Sequence, residues 1–493
     1  MPSFRALRLR VAAVGAAVGL VASGVAAATA SAGVPSDLYG VNVQQVFSGP
    51  TSSWQPRLSA IAAGGLQLGR IDARWANVEP QPPSGGQHTY DWSLYDSIVQ
   101  AMAQHGIRWY PIVDYSTSWS GVISGDTVSA LSPDHVADFV AYAAAFAKRY
   151  GQGGSFWQAH PSLPQLPVTS YEIWNEENST VFWHPQDNAP EAYADLYMAS
   201  GAAIKSVDPQ ADVVVGGLAL GNNGGADEIQ FLQRMFAHRP DLRGNVDGVG
   251  LHPYQHSVAD TEMRIARFRQ ALDQLAGPQV PIEITEVGWA TTAVSDAERG
   301  SDLATLAEDL PRSDCNIDRF LPYTWMTEEQ NQADPEQWFG IANADGSAKP
   351  SGQAYLDAVE SMRGRSSTPA PTGSLTICHP PQPLPPPTQP STGPHPPPKG
   401  PKLLLSVRKD RRRARLEVRG KCPRGCRLKV DLLVPHASAA AVKVATRVTP
   451  FSSRRQIVRL TVPRRLGRRV KLVVVATGRS GGRTTRSRGV RIR

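Results

Sequence analysis

Tyr171-Glu172-Ile173-Trp174-Asn175-Glu176 and Ile282-Glu283-Ile284-Thr285-Glu286-Val287-Gly288-Trp289 are two short apolar runs, and each ends on a glutamate. Runs of this length read as strands buried on both faces, the kind found in a parallel sheet covered by helices. Outward from them the pattern recurs at 38–43, 67–72, 109–114, 170–174, 212–216, 248–252, 281–285 and 320–325. Ala-rich helical stretches such as 133–150 and 189–207 lie between the runs, and 352–363 supplies a last helix. Eight strands, each followed by a helix, over about 330 residues predict a (β/α)8 TIM barrel within 33–365, with a doubly wound open sheet as the alternative.

In such a barrel, chemistry gathers at the C-terminal ends of the strands. Arg70 with Asp72, Asp114, Asn175 with Glu176, His252 with Tyr254, Glu286 and Trp325 all fall at such ends, so the polar outliers converge on one rim. A carboxylic acid facing a carboxylate across a sugar-sized gap is the minimum equipment for breaking a glycosidic bond. One carboxyl must keep its proton near neutral pH to protonate the leaving oxygen, while the other must be ionised to attack the anomeric carbon.

Trp174-Asn175-Glu176 ending the fourth strand, His252-Pro253-Tyr254 after the sixth, Thr285-Glu286-Val287-Gly288-Trp289 ending the seventh and Trp325 on the eighth resemble clan A glycoside hydrolases, the retaining (β/α)8 enzymes. Arg70-Ile71-Asp72-Ala73-Arg74-Trp75 and the stretch from Tyr171 to Asn178 look most similar to cellulase-like and family 39-like members. The resemblance spans the barrel and says nothing of the basic C-terminal residues. It implies double displacement on β-glycosidic bonds of an oligo- or polysaccharide, with Glu176 as general acid/base and Glu286 as nucleophile. Asn175 would bond the sugar 2-hydroxyl and Trp325 would lie beneath the ring. Arg70 and a hydrogen bond from Tyr254 are expected to hold Glu286 ionised. His252 reads as a hydrogen-bonded rim residue, since no second histidine lies at ligand spacing, and no metal or cofactor is expected.

Two departures from the family pattern bear on the substrate. Glu177 stands where proline is frequent, putting a third carboxylate beside Glu176 that could bind a cationic sugar, and the third strand ends Val113-Asp114-Tyr115-Ser116 without a histidine. Glu172 and Glu283 sit earlier on their strands, where pairing with a cation is the expected role, and Arg74 is expected in a loop salt bridge. Trp75, Trp119, Trp183 and Trp289 are read either as stacking on sugars or as packing under loops.

Charge divides the chain. From Lys399 to Arg493 there are 29 Lys and Arg against Asp410, Glu417 and Asp431, a balance of +26, whereas the rest carries −18 and the whole only +8. Between the two lies 366–401, dense in Pro, Ser and Thr, which reads as a stiff extended linker. Residues 402–493 carry short alternating runs at 403–407, 414–418, 427–433, 442–448, 456–462 and 470–476, the pattern of a small β-sandwich with its arginines outward. Such a surface suits an anionic wall or extracellular polymer. No aromatic platform is interleaved with the arginines, so sequence-specific nucleic-acid binding is not expected.

At the other end, Arg5, Arg8 and Arg10 precede an Ala/Gly/Val-rich stretch and Ala30-Ser31-Ala32, which reads as a signal peptide over 1–32 and places the chain outside the cell. Four cysteines in an exported chain read as two disulfides. Cys422 and Cys426 flank a tight turn, and Cys315 and Cys378 both fall at the bottom of the predicted barrel. The protein is expected to be a monomer. Its alternative reading is a catalytically silent carbohydrate- or wall-binding adhesin on a hydrolase scaffold.

Overall fold

The computed structural model describes residues 37–221, 225–363 and 375–379, and in the C-terminal part 404–410, 415–422, 427–434, 442–448, 456–461, 469–477 and 483–491. The chain divides into two compact units, Met1–Gln382 and Pro383–Arg493. The segment expected to be a signal peptide and most of the expected Pro-rich linker lie outside the described residues. No helix among those described is long and apolar enough to cross a membrane.

The first unit is a (β/α)8 barrel. Its strands are β1 (Gly40–Asn42), β2 (Leu68–Arg74), β3 (Arg108–Asp114), β4 (Ser170–Ile173), β5 (Asp212–Leu218), β6 (Gly248–Leu251), β7 (Ile282–Ile284) and β8 (Ile317–Phe320), parallel and paired in sequence order. The ring closes where Phe320 N–H donates to Leu38 O at 2.8 Å. Nearly every strand residue is buried, as expected where helices cover the outside and side chains fill the inside.

The eighth strand departs from its expected span of 320–325 and ends at Phe320, because the apolar run Phe320-Leu321-Pro322 leaves the sheet at the proline, which has no N–H to give to a ladder. Helix Ala189–Val207 shows how the outer layer positions the rim. Tyr193, Tyr197 and Ile204 share its buried face; the Tyr193 hydroxyl donates to Ile173 O at 2.7 Å and accepts from Gly216 N–H at 2.8 Å, clasping the ends of β4 and β5.

Polar groups also fill the barrel's interior. Glu283 accepts from the Tyr110 hydroxyl at 2.5 Å, and burial pushes its carboxyl up to about 7 against the opposing pull of Arg319. Glu283 thus lies below the rim as expected, but its hydrogen-bond partner is a tyrosine hydroxyl rather than the expected cation.

Cys315 and Cys378 form a disulfide, and the Asp314 carboxylate accepts the N–H groups of Ile377, Cys378 and His379 at 2.7–2.9 Å. Leu375–His379, assigned from sequence to the linker, therefore lie on the barrel. Closing a loop with a sequence separation of 63 stabilises the fold by about 4 kcal/mol in the chain-entropy account.

The second unit has two antiparallel sheets. Strands β9 (Leu404–Asp410), β10 (Arg415–Lys421) and β13 (Gln456–Thr461) form one, in the order β13-β10-β9. Strands β11 (Arg427–Val434), β12 (Val442–Val448), β14 (Arg469–Thr477) and β15 (Arg483–Arg491) form the other, in the order β12-β11-β14-β15. Leu416, Val418, Leu428, Val430, Leu472 and Val474 are buried at alternate positions. Strand β15 was not expected: as an edge strand it needs no apolar alternation. Arg486 pairs across from buried Val474 yet is exposed, an inward-register charge of the kind that protects sheet edges. Cys422 is buried, while Cys426, its expected disulfide partner, lies outside the described residues.

Candidate active site

Consecutive residues of a regular strand point to opposite faces. At the exit of β4 the chain escapes that constraint: Trp174 and Glu176 have φ of 68° and 48°, left-handed values that cost a non-glycine residue about 1–2 kcal/mol each. Trp174 N–H donates to Val113 O, and Glu176 N–H to Gly217 O, which hold the turn. As a result Asn175 and Glu176 both line a cavity of about 620 Å3 at the C-terminal end of the barrel, together with Glu286 and Tyr254.

Arg70, wholly buried at the centre, organises the floor. Its Nε and Nη2 donate to Glu172 at 2.7 and 3.0 Å, its Nη1 to Glu286 Oε1 and Asn42 Oδ1 at 2.7 and 2.8 Å, and its Nη2 also to Asn175 Oδ1 at 2.9 Å. Burial works against its charge, but Glu172 and Glu286 more than offset this and raise its pKa. The Tyr254 hydroxyl donates to Glu286 Oε2 at 2.9 Å. Burial pushes the Glu286 carboxyl up. Nearby His252 and Arg70, with the Arg70 and Tyr254 hydrogen bonds, more than reverse this and hold it below the usual carboxylate range. Glu286 is thus kept as an anion although it is largely buried.

Glu176 bonds a different partner. His252 Nδ1 lies 2.8 Å from Glu176 Oε1, and His252 Nε2 lies 3.1 Å from Thr285 Oγ1, whose hydroxyl donates to Glu172 at 3.4 Å. With its proton given to Glu172, the Thr285 oxygen accepts from Nε2–H. His252 and Thr285 thus link Glu176 to Glu172 in one chain of polar contacts beneath the cleft. Gly217 makes room for this: a Cβ there would stand 1.9 Å from His252 Nε2. One oxygen of each glutamate and a nitrogen of His252 lie within 4.8 Å of one another, near enough to surround an ion. Arg70 and Tyr254 already take the oxygens Glu286 would offer.

Of the rim residues expected from sequence, Arg70, Asn175, Glu176, His252, Tyr254 and Glu286 come together. Trp325 does not. It is fully buried beyond the end of β8 and borders a separate cavity with Ala60, Gly64 and Leu356, so it cannot lie beneath a sugar; Tyr323, two residues earlier, lines the cleft instead. The strand's early end at Phe320 shifts which side chain faces inward. Glu177 is also corrected: its carboxyl packs against Gly216 in the core, where burial pushes it well up, and it does not reach the cleft. Asp114 lies beneath the rim with neither oxygen hydrogen-bonded, and burial, then the charge of Asp72, favour its neutral acid.

Arg74 pairs with Asp72 at 2.9 Å, as expected, though from the last position of β2 rather than from a loop. Trp75, Trp183 and Trp289 are buried and pack, leaving no sugar-stacking role to them. Sequence reasoning missed Asn42, whose Nδ2 donates to Thr285 O, Leu321 O and Pro322 O while Oδ1 receives Arg70. An asparagine closing the first strand was the available signal. Gln44 and Glu336, both cleft-lining, were missed too, the latter in a loop far from any strand motif.

No protein-family profile and no curated protein sequence matches the chain. Among solved structures it is similar to a family 39 glycoside hydrolase from the gut symbiont Bacteroides cellulosilyticus WH2, at 17% identity over 84% of this chain and 79% of that one, with a TM-score of 0.50. A family 39 β-xylosidase from Caulobacter crescentus matches at 19% identity over 82% and 84%, with a TM-score of 0.51. A GH5_18 protein from Streptomyces cattleya, in complex with GlcNAc, matches at 16% identity over 69% and 82%, with a TM-score of 0.50. The structural neighbours are thus family 39 and family 5 glycoside hydrolases, and the shared feature at this identity is the barrel fold.

Proposed function

We propose that the chain is a secreted, monomeric, retaining glycoside hydrolase that cleaves β-glycosidic bonds by double displacement. The observation that carries this reading is the pair of carboxyls: an oxygen of Glu176 lies within 4.8 Å of one of Glu286, which suits the roughly 5–5.5 Å spacing of a retaining pair better than the roughly 6.5–9.5 Å that leaves room for an inverting water. Glu286, anionic beside Arg70, attacks the anomeric carbon as Glu176 gives its proton to the leaving oxygen. The sugar is then bound to Glu286. Glu176, now a carboxylate, takes a proton from water, whose oxygen attacks the same carbon and frees Glu286. Asn175, oriented by Arg70, is placed to bond a sugar hydroxyl. The barrel fold shared with glycoside hydrolases agrees with this reading, and the Cys315–Cys378 disulfide suits an oxidising compartment.

Proton NMR of a 4-nitrophenyl β-glycoside digest tests it: the β-anomer of the released sugar is expected first, with the α-anomer growing in by mutarotation. First release of the α-anomer sinks the mechanism. No hydrolysis by the native chain sinks the enzyme reading in favour of a silent sugar-binding scaffold.

For residues 402–493 the reading is a tether to an anionic wall or extracellular polymer. A surplus of 26 positive charges after residue 398 is either solvated or meets a polyanion. Binding would raise the local substrate concentration for a barrel that carries its own site. Truncation after Gln382, which keeps Cys378, is expected to leave turnover of small soluble glycosides within about twofold while abolishing co-sedimentation with anionic wall material at low salt. Retained sedimentation of the truncated chain rules the tether out.

A further inference from the structure

We infer that the group this site releases is a hydrophobic alcohol or phenol rather than a second sugar. The inference rests on the hydrolase reading above and replaces the oligosaccharide expected from sequence.

The cleft has two unlike walls, and barrel order sets them opposite each other. Gln44 after β1, Asp72 and Arg74 on β2, and Tyr323 and Glu336 after β8 belong to three neighbouring strands. Apart from Phe339, which follows in the same segment after β8, this wall offers acceptors and donors, and Gln44 Oε1 is buried there without a partner. Across the barrel, the segments after β4 and β5 contribute Val181, Phe182, Ala219 and Leu220. Val181 is 50% exposed, one of the few large apolar side chains on the described surface that is so open. Asn178, in the segment after β4, is engaged with Ala219 and Ala226 through its own hydrogen bonds.

The chemistry decides which wall meets which half of the substrate. The oxygen that leaves must lie within hydrogen-bond reach of the acid, and Glu176 rises from β4. The bond between the anomeric carbon and that oxygen breaks, the oxygen takes the Glu176 proton, and the released alcohol therefore lies along the β4–β5 wall. Water then supplies the hydroxyl of the freed sugar and restores the Glu176 proton. A sugar in the leaving position needs hydrogen-bond partners for its hydroxyls. Among the described residues the side chains that this wall presents to the cleft, Val181, Phe182, Ala219 and Leu220, supply no donor or acceptor; Phe182 gives one face to Tyr115 at 6.1 Å, and Trp174 and Trp183 are buried. Placing hydroxyls against unresponsive apolar groups strands them without partners, whereas an alkyl or aryl group gains contact there.

The test compares leaving groups at a constant sugar, using the full native chain. Octyl β-glucoside is set against cellobiose, octyl β-xyloside against xylobiose and octyl β-mannoside against β-1,4-mannobiose. For whichever sugar is cleaved, kcat/KM is expected to favour the octyl glycoside by about tenfold or more. The double variant Val181→Ser/Leu220→Ser is expected to erase most of that preference, chiefly through KM, with its unfolding midpoint measured alongside. A disaccharide cleaved as well as or better than its octyl partner overturns this inference and leaves the hydrolase reading standing. Failure to cleave any of the six, with 4-nitrophenyl glycosides also intact, sinks both.

Discussion

Glu286→Ala is expected to lower kcat on every β-glycoside by at least about 10⁴-fold, because no other carboxylate is placed to bond the anomeric carbon. Asp72 and Glu336 line the same cleft, but Asp72 is paired with Arg74, and burial and the charge of Glu286 push the Glu336 carboxyl toward its neutral acid. Glu176→Ala is expected to behave differently. Its role is proton transfer, worth about 10²–10⁴-fold, and a leaving group that departs without help escapes most of that loss in the first step. A dinitrophenyl glycoside should therefore form the Glu286 adduct at near-native rate in Glu176→Ala and accumulate it. Azide separates the two roles. It attacks the adduct of Glu176→Ala and gives a β-glycosyl azide; in Glu286→Ala it takes the vacant nucleophile position and gives the α-glycosyl azide. The two products are resolved by the anomeric proton coupling, and the same anomer from both variants would reverse or void the assignment.

Arg70→Met is expected to destabilise the barrel by about 3–5 kcal/mol, the largest stability effect of any single replacement at the rim. The guanidinium is 0% exposed and bonds two carboxylates, Glu172 and Glu286, along with the side-chain oxygens of Asn42 and Asn175. Removing it leaves two anions facing one another in a site of low polarity. Replacing Glu172 by glutamine in the Arg70→Met background is then expected to recover part of the loss, since one of the uncompensated charges is gone. Denaturant midpoints of the wild type, both single variants and the double variant measure the coupling. An Arg70→Met midpoint within about 1 kcal/mol of wild type would mean that the interior carboxylates are neutral without it, and that another group keeps Glu286 ionised.

The barrel was legible because its signal is periodic and repeated. Eight apolar runs separated by helical stretches leave few other ways to bury them, and errors of a few residues at any one strand do not disturb the count. Glu176, Glu286, Arg70 and His252 were legible for a related reason: a charged side chain at the end of a buried strand is costly unless partnered, so its presence marks a site. The Cys315–Cys378 bridge followed from topology alone, because the ends of the seventh and eighth helices must meet at the bottom of a closed barrel.

What the sequence left open was decided by side-chain direction, which a shift of one or two residues reverses. The eighth strand ends at Phe320, so Tyr323 rather than Trp325 faces the cleft. The left-handed turn at Trp174 and Glu176 sends Asn175 and Glu176 into the cavity and Glu177 into the core, an outcome that no spacing of acidic residues reveals. Asn42, Gln44 and Glu336 join the site from strand ends and a loop that carry no motif, brought there only because the ring closes β8 onto β1. The opposition of a polar and an apolar wall is likewise a property of the closed ring, since the polar wall draws on residues as far apart as Gln44 and Glu336 and meets the segments after β4 and β5 only across the barrel's mouth. Local sequence determined which segments are buried and which charges need partners; tertiary closure determined which partners they have.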